Sequence, residues 1–173
     1  TFQTKMLSHR AGRWAFDERY ARLLVEYGYQ VDCSVTPRVN WKTAKGAPQG
    51  DGGTDYRRFP QHAYFLDEND ISREGHSPLL EVPMSIQYKH SAWMNSVKQG
   101  YDRLRGKVRS PSVHWLRPMG GNVETMKKVV EQTLTQGNDY VEYMLHSSEY
   151  MPGGSPTFQN ERDIERLYAD LEA

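Results

Sequence analysis

Cysteine is almost absent from this chain of 173 residues, which contains only Cys33. A single thiol excludes an internal disulfide framework and a zinc site built from several cysteines. The chain also lacks an apolar run of about 18 residues, so the sequence predicts no membrane-spanning helix. Net charge is absent too, because the 22 basic and 22 acidic residues cancel. Without a field of one sign, binding to nucleic acid or to an anionic membrane is not expected.

Aromatic residues are plentiful by contrast, with 11 Tyr, 5 Phe and 4 Trp. Such side chains fill cores, and they also line sugar-binding clefts by stacking on the apolar faces of sugar rings. We expect Trp41, Trp93 and Trp115 to pack inside the protein, unless one of them lines a sugar subsite. The length fits one domain with a core of its own.

Helical and strand patterns alternate along the chain, which predicts a single α/β domain over residues 1–173. Apolar residues recur every three or four positions over 16–27, which predicts a helix that ends at Gly28. Two further helices are predicted to begin after the capping residues Asn122 and Asn160. The predicted strands cover residues 29–35, residues 79–86 and the first half of the stretch 140–149.

Residues 40–77 are predicted to form a long irregular loop region. The part from 40 to 55 contains four glycines and is too long for an ordinary connection, so it is expected to be an active-site loop or mobile. A weak helical pattern follows at 93–105. A loop is predicted at 108–118.

Polar, titratable residues follow or flank predicted strands at three sites. They are His9 with Arg10, Asp32 with Ser34, and His146 with Ser148 and Glu149. If these strands are parallel neighbours, the side chains converge at one rim, where ligands bind in α/β proteins. The alternatives are structural: His146 bonded to a backbone carbonyl, Arg10 in a surface salt bridge, and Asp32 as a loop anchor.

Two familiar kinds of catalytic site find little support in the sequence. A serine nucleophile lacks its Gly-x-Ser-x-Gly turn, and Ser147 beside His146 would point to the opposite face of a strand. A metal site within the chain lacks paired histidines at helical spacing, because the six histidines are widely separated.

Five short motifs occur in an order that resembles the polysaccharide deacetylase family (NodB-homology, carbohydrate esterase family 4). They are RAGRW at 10–14, VDCSVTP at 31–37, LEVP at 80–83, MLHSSE at 144–149 and MPGGSP at 151–156. The resemblance covers most of the chain. It implies part of a distorted (β/α) barrel and a hydrolase that removes acetyl groups from a sugar of a polysaccharide.

The resemblance also implies catalytic roles for three residues. His146 matches the general acid of the family, although Met144 stands where leucine is usual. Arg10 matches the arginine that orients the catalytic base, and Asp32 resembles the aspartate that positions the acid histidine.

Four further residues are implied as substrate-binding. Met144 corresponds to the pocket for the acetyl methyl group, and Arg13 would donate its backbone amide to the oxyanion. Trp14 and Ser148 complete this set. The family usually has Arg-x-Pro-aromatic where this chain has RAGRW.

The family's Asp-Asp motif and its His-x-x-x-His pair do not occur in this sequence. The divalent metal that the resemblance implies, zinc in most members, is therefore expected to have its ligands outside this chain. We expect the chain to be the C-terminal portion of a longer deacetylase domain, since both ends look cut. A homo-oligomer or an N-terminal partner segment would then cover the open sheet edges.

Other functions stay open at this stage. The first is a non-catalytic carbohydrate-binding or interaction domain on the same fold, and the second is a different hydrolase or glycosidase on a similar barrel. An acetylated glycan is the expected partner. A cytoplasmic and a cell-envelope location are equally compatible with the sequence.

Overall fold

A computed structural model gives the architecture of residues 4–46, 48–90, 94–95, 101, 104 and 112–173. Within these residues the chain forms helices, one mixed sheet and one antiparallel pair of strands. Most of the weak helix predicted at 93–105, including Trp93, lies outside the described residues, as does much of the first half of the loop predicted at 108–118.

The mixed sheet has five strands in the order β1-β2-β5-β3-β4. They are β1 (Ser8–His9), β2 (Val31–Asp32), β3 (Tyr64–Asp67), β4 (Asp70–Glu74) and β5 (Leu80–Glu81). The first three in spatial order are parallel, whereas β3 runs antiparallel to both β5 and β4. Parallel neighbours need a crossover connection, and a helix supplies it between β1 and β2.

The register of this sheet aligns four residues in one row. His9 lies opposite Asp32, Asp32 opposite Glu81, and Glu81 opposite Tyr64. Residues directly opposite one another project from the same face of a sheet. Three members of the row end parallel strands, so their side chains gather where ligands bind in α/β proteins.

The long irregular region predicted at 40–77 is wrong in its second half, which contains β3 and β4. Residues 40–46 and 48–55 are irregular apart from one isolated bridge between Asn40 and Asp55. In β3, Leu66 is fully buried while Phe65 is half exposed. An aromatic residue on the solvent side hides the alternation that indicates a strand.

The single strand predicted at 79–86 is two strands in the structure. The first is β5, and the second, β6 (Ile86–Tyr88), pairs antiparallel with β7 (Val113–Trp115) in a separate sheet. Pro83 lies in the break between them. Proline has no N–H to donate to a strand ladder, which agrees with the break.

The strand predicted in the first half of 140–149 is also wrong. Residues 140–146 have no strand assignment and are followed by a 3-10 turn, Ser147–Tyr150. The segment makes isolated backbone hydrogen bonds to its neighbours instead of a continuous ladder. Ser85 N donates to Glu142 O at 3.3 Å, and Met144 N donates to Leu116 O at 3.3 Å. The N–H of Glu142 is used by the hydroxyl of Ser85 instead of a strand partner.

Three predicted helices are present: α1 (Glu18–Glu26), α2 (Val123–Thr135) and α3 (Glu161–Glu172). Asp17 caps α1 by accepting from Tyr20 N, and Gly28 follows its end with a φ of 75°. Asn160 and Asp163 form a reciprocal capping box at the start of α3.

The apolar faces predicted for these helices are narrower in the structure. Leu23, Tyr27, Leu134, Tyr168 and Leu171 recur at the three- and four-residue spacing of an apolar helical face, but all five are exposed. The main core lies between α1 and the mixed sheet.

Among the described residues, no helix has the length and apolar content needed to cross a membrane. The distorted barrel remains a prediction.

Candidate functional site

A buried hydrogen-bonded network joins the ends of β1 and β2. Asp32 has 0% of its surface exposed, and its Oδ1 lies 2.6 Å from His9 Nδ1. Ser34 donates its backbone N–H to Asp32 Oδ2 at 3.0 Å and its hydroxyl to Oδ1 at 2.9 Å. Of the three polar sites expected to converge, the first two therefore meet, His9 and Asp32 from parallel neighbouring strands.

The same network extends to α1 and to the loop after β1. Tyr20 places its hydroxyl 2.9 Å from His9 Nε2, so both nitrogens of this ring are engaged. Ser34 Oγ accepts a hydrogen bond from Ala11 N at 2.7 Å. Asp32 and Ser34 thereby fix the start of the RAGRW loop through its backbone.

Glu81 is a second fully buried acid beside Asp32, and the sequence analysis did not assign it to the site. Its Oε1 accepts from Val35 N at 2.9 Å, while Oε2 has no hydrogen-bond partner among the described residues. Burial raises the pKa of Glu81 well above its usual value, and the adjacent Asp32 raises it further. Two carboxyl groups side by side resist double ionisation, which favours the neutral acid at Glu81.

Ionisation of the Cys33 thiol is disfavoured at this edge of the sheet. Burial raises the pKa of its thiol to about 11, and the nearby Arg10 only partly offsets that effect. A thiol with this pKa remains protonated near neutral pH. The chemistry available here is therefore that of histidine and carboxylic acids.

The RAGRW loop has strained backbone at two consecutive residues. Arg13 and Trp14 have φ angles of 58° and 59°, a left-handed conformation that is rare for bulky side chains. The loop is held in place by Tyr56, whose hydroxyl donates to Trp14 O at 2.7 Å. Strain of this kind persists only where surrounding contacts impose it, and it is frequent at functional sites. Arg13 itself is exposed.

Arg10 contacts an acid that the sequence analysis did not foresee. Its Nη2 donates to Glu142 Oε1, which joins the loop after β1 to the segment 140–146. The guanidinium also lies over the ring of Trp14, with Cζ 5.8 Å from the centroid. The expected role of Arg10 toward a catalytic base outside this chain stays a prediction.

Three tryptophans form a half-buried aromatic surface beside Arg10. The ring centroid of Trp115 lies 5.8 Å from that of Trp14 and 6.3 Å from that of Trp41. We call Trp14, Trp41 and Trp115 the tryptophan surface. Met144 is buried in the cluster that supports it, so two residues predicted to bind substrate, Trp14 and Met144, belong to one cluster.

His146 and Ser148 lie in a different environment from Asp32. Glu149 is 2% exposed, and its carboxylate accepts from Arg117 Nη2 at 2.7 Å and from His146 N at 2.8 Å. His146 is exposed and Ser148 is partly buried. In the described residues the histidine bonded to Asp32 is His9, not His146. The third polar cluster does not end a strand of the mixed sheet.

The sequence did not identify Glu81 and Glu142 as residues of the candidate site, and the reason is the same for both. Each is an acid within an apolar run, Leu79 to Val82 and Val141 to Met144 respectively. An acid in such a run is a usable signal, because charged residues are seldom buried without a partner. Which partner each acid would meet depended on strand order and on contacts that the sequence does not specify.

The described residues contain no group of three or more His, Cys, Asp or Glu side chains placed to hold a metal ion. The described residues therefore offer no ligand set for a metal, and the zinc expected outside this chain remains a prediction. No family model, no curated protein and no solved structure matches the chain.

Proposed function

We propose that this chain binds and orients the substrate of a hydrolase that removes acetyl groups from a sugar of a polysaccharide. One observation carries the proposal: motif segments far apart in the sequence are in contact around one rim of the mixed sheet. The resemblance to polysaccharide deacetylases was based on the order of these segments. Their contact is what a shared site would require.

Three side-chain contacts and one apolar cluster join these segments. Ser34 Oγ of the second motif accepts a hydrogen bond from Ala11 N of the first. Glu81 of the third accepts from Val35 of the second. Arg10 bonds Glu142 beside the fourth motif, and Trp14 packs against the cluster that contains Met144. A ligand at this rim would touch several motifs at once.

In the proposed reaction this chain contributes binding and orientation, together with His146 as the general acid that the resemblance implies. The tryptophan surface offers indole rings, inclined to one another by 42° and 60°, as apolar faces on which a sugar ring stacks. Arg10, fixed by Glu142 and by Trp14, supplies charge-assisted donors at the edge of that surface. The described residues do not fit the divalent metal that the resemblance implies, so we assign no step to it here.

The test is release of acetate from oligomers of N-acetylglucosamine by the full-length protein. His146→Ala should lower turnover by roughly a hundredfold or more, the usual scale for loss of a general acid. Because His146 is exposed, the free energy of unfolding should change by less than about 0.5 kcal/mol. Turnover is measured by the acetate released, and stability by urea denaturation.

Ser147→Ala is the matched control, since Ser147 is also exposed and adjacent to His146. It should leave turnover and stability unchanged. Turnover that is equal in His146→Ala and in the unsubstituted protein would remove His146 from the mechanism.

A second candidate function is carbohydrate binding without catalysis. The tryptophan surface favours it, because three half-buried indoles can hold a sugar without an acid, a base or a metal. It predicts glycan binding that survives chelation and no release of acetate. Detection of acetate from the full-length protein would exclude it.

A further inference from the structure

Arg38 is a buried guanidinium with an unused donor. Only 8% of the residue is exposed, and its backbone has a φ of 72°. Its Cζ lies 4.5 Å from the ring centroid of Tyr88, and Nη2 donates to Gln61 Oε1. The buried Nε has no hydrogen-bond partner among the described residues. An unsatisfied donor on a buried cation is costly and indicates a missing acceptor.

Two cavities open beside this guanidinium. Their volumes are about 410 Å³ and about 570 Å³, and Arg38 and Gln136 line both of them. Among the described lining residues, the larger cavity has no carboxylate, whereas the smaller one includes Glu131, so the larger cavity is the one that suits an anion. Gln61 and Asn138 supply amide groups there. Amides bond sugar hydroxyls in either direction, and arginine matches the two oxygens of a carboxylate.

We propose that Arg38 binds the carboxylate of an acidic sugar unit, of the uronic acid type, in the glycan that this protein recognises. The proposal rests on the proposed function, which it deepens by naming the substrate class. Arg38 is the one arginine or lysine among the described lining residues of the two cavities. One guanidinium balances one monoanion, whereas a phosphate dianion would call for a second fixed cation.

The position of Arg38 suits a glycan that already lies on the tryptophan surface. Tyr88, which stacks on Arg38, is two residues along β6 from Ile86, and Ile86 lies opposite Trp115 in the register. Residues two apart in a strand share a face and are separated by roughly 6.6 Å. Two consecutive sugar rings of one glycan could therefore lie one on Trp115 and the other beside Arg38.

The test compares two hexasaccharides that differ only in charge. One is a hyaluronan hexasaccharide, which alternates N-acetylglucosamine with glucuronate, and the other is its carboxyl-reduced form. The full-length protein should bind the acidic form about tenfold more tightly in calorimetry at fixed ionic strength, which must be held constant because charge pairing is screened by salt. Equal affinity for the two forms, or no binding of the acidic form, would overturn the proposal.

Variants assign the preference to one residue. Arg38→Gln should abolish the preference for the acidic form and leave binding of the reduced form unchanged. Arg58→Gln removes the same charge from an exposed position nearby and should retain the preference. Arg38→Gly gives a second measurement if the glutamine variant misfolds, because glycine accepts a positive φ without strain. A preference that persists without Arg38 would overturn the proposal.

Two further measurements are needed. The first distinguishes a sugar carboxylate from phosphate as the bound anion, and the second distinguishes failure of the Arg38 site from failure of the proposed function. Inorganic phosphate that displaces the acidic hexasaccharide at lower concentration than free glucuronate would overturn the assignment to a sugar carboxylate. Acetate release is measured in parallel on the reduced hexasaccharide. A preference for the acidic hexasaccharide without acetate release would support the Arg38 site and contradict the proposed hydrolase. Acetate release without that preference would support the hydrolase and contradict the Arg38 site.

Discussion

Asp32 and Glu149 are both buried acids, the first at the end of β2 and the second in the 3-10 turn Ser147–Tyr150, but different groups satisfy them. Asp32 is bonded by the neutral donors of Ser34 and by His9, and it lies beside a second acid, Glu81. Glu149 is bonded by Arg117 and by a backbone N–H. The difference shows that this protein buries carboxyl groups both with and without a permanent cation.

The largest effect should come from Asp32→Ala. The substitution leaves the donors of His9 and Ser34 without an acceptor inside the protein, and each such buried group costs about 1–3 kcal/mol. We expect the free energy of unfolding to fall by about 3 kcal/mol in urea denaturation. Asp139→Ala, at an exposed position, is the control and should change it by less than about 0.5 kcal/mol. A loss below about 1 kcal/mol at Asp32 would mean that water replaces the carboxylate.

A smaller effect is expected from Arg117→Gln. It removes the cation from buried Glu149, and because Arg117 is 31% exposed the loss should be about 2 kcal/mol, less than for a fully buried pair. Arg73→Gln is the matched control, since Arg73 pairs with Asp70 at the surface, where such pairs contribute little. If Arg117→Gln and Arg73→Gln had the same free energy of unfolding, Arg117 would not stabilise buried Glu149. The two buried acids would then not differ in their need for a cation.

The smallest change should come from Glu81→Gln when stability is measured below about pH 4.3, where it should stay within about 1 kcal/mol. An amide keeps the acceptor for Val35 N and matches the neutral acid in shape. Its effect should appear in the pH dependence. The pKa of Glu81 is raised in the folded protein, so the folded state holds a proton that the unfolded chain releases above its ordinary pKa of about 4.3.

The stability that Glu81 contributes is therefore complete below about pH 4.3 and is lost as the pH rises through the folded pKa. Urea denaturation at a series of pH values should show the unsubstituted protein losing stability relative to Glu81→Gln as the pH increases. Parallel curves for the two proteins would show that Glu81 ionises normally in the fold.

The sequence predicted those features that depend on neighbouring residues. The caps Asp17 and Asn160 and the helices after them follow from local hydrogen bonding. Asn122 precedes α2 as expected, but its side chain bonds Met119 N and Arg117 O instead of capping the helix. A local pattern marks where a helix begins without specifying which contacts an end residue will choose.

Most features that depend on partners distant in sequence were not predicted. Residues 140–146 are rich in strand-forming side chains, but the hydroxyl of Ser85 takes a backbone N–H that a ladder would need. At the candidate site, strand-end positions were enough to bring His9 and Asp32 together. The neighbours Glu81, Glu142 and Arg38 required the strand order, the register and the course of loops, which no local pattern contains.

The strand order also has a consequence for how the sheet is assembled. β5 is the last of its five strands in the sequence, yet it lies in the middle, between β2 and β3. The β1–α1–β2 unit and the β3–β4 hairpin can each begin to form from contacts within short stretches of chain, which are the fast ones to make. Only the arrival of β5 joins them, and with it Glu81 reaches Asp32. On a ribosome, the buried acid pair is therefore completed only after the two outer parts of the sheet have been synthesised.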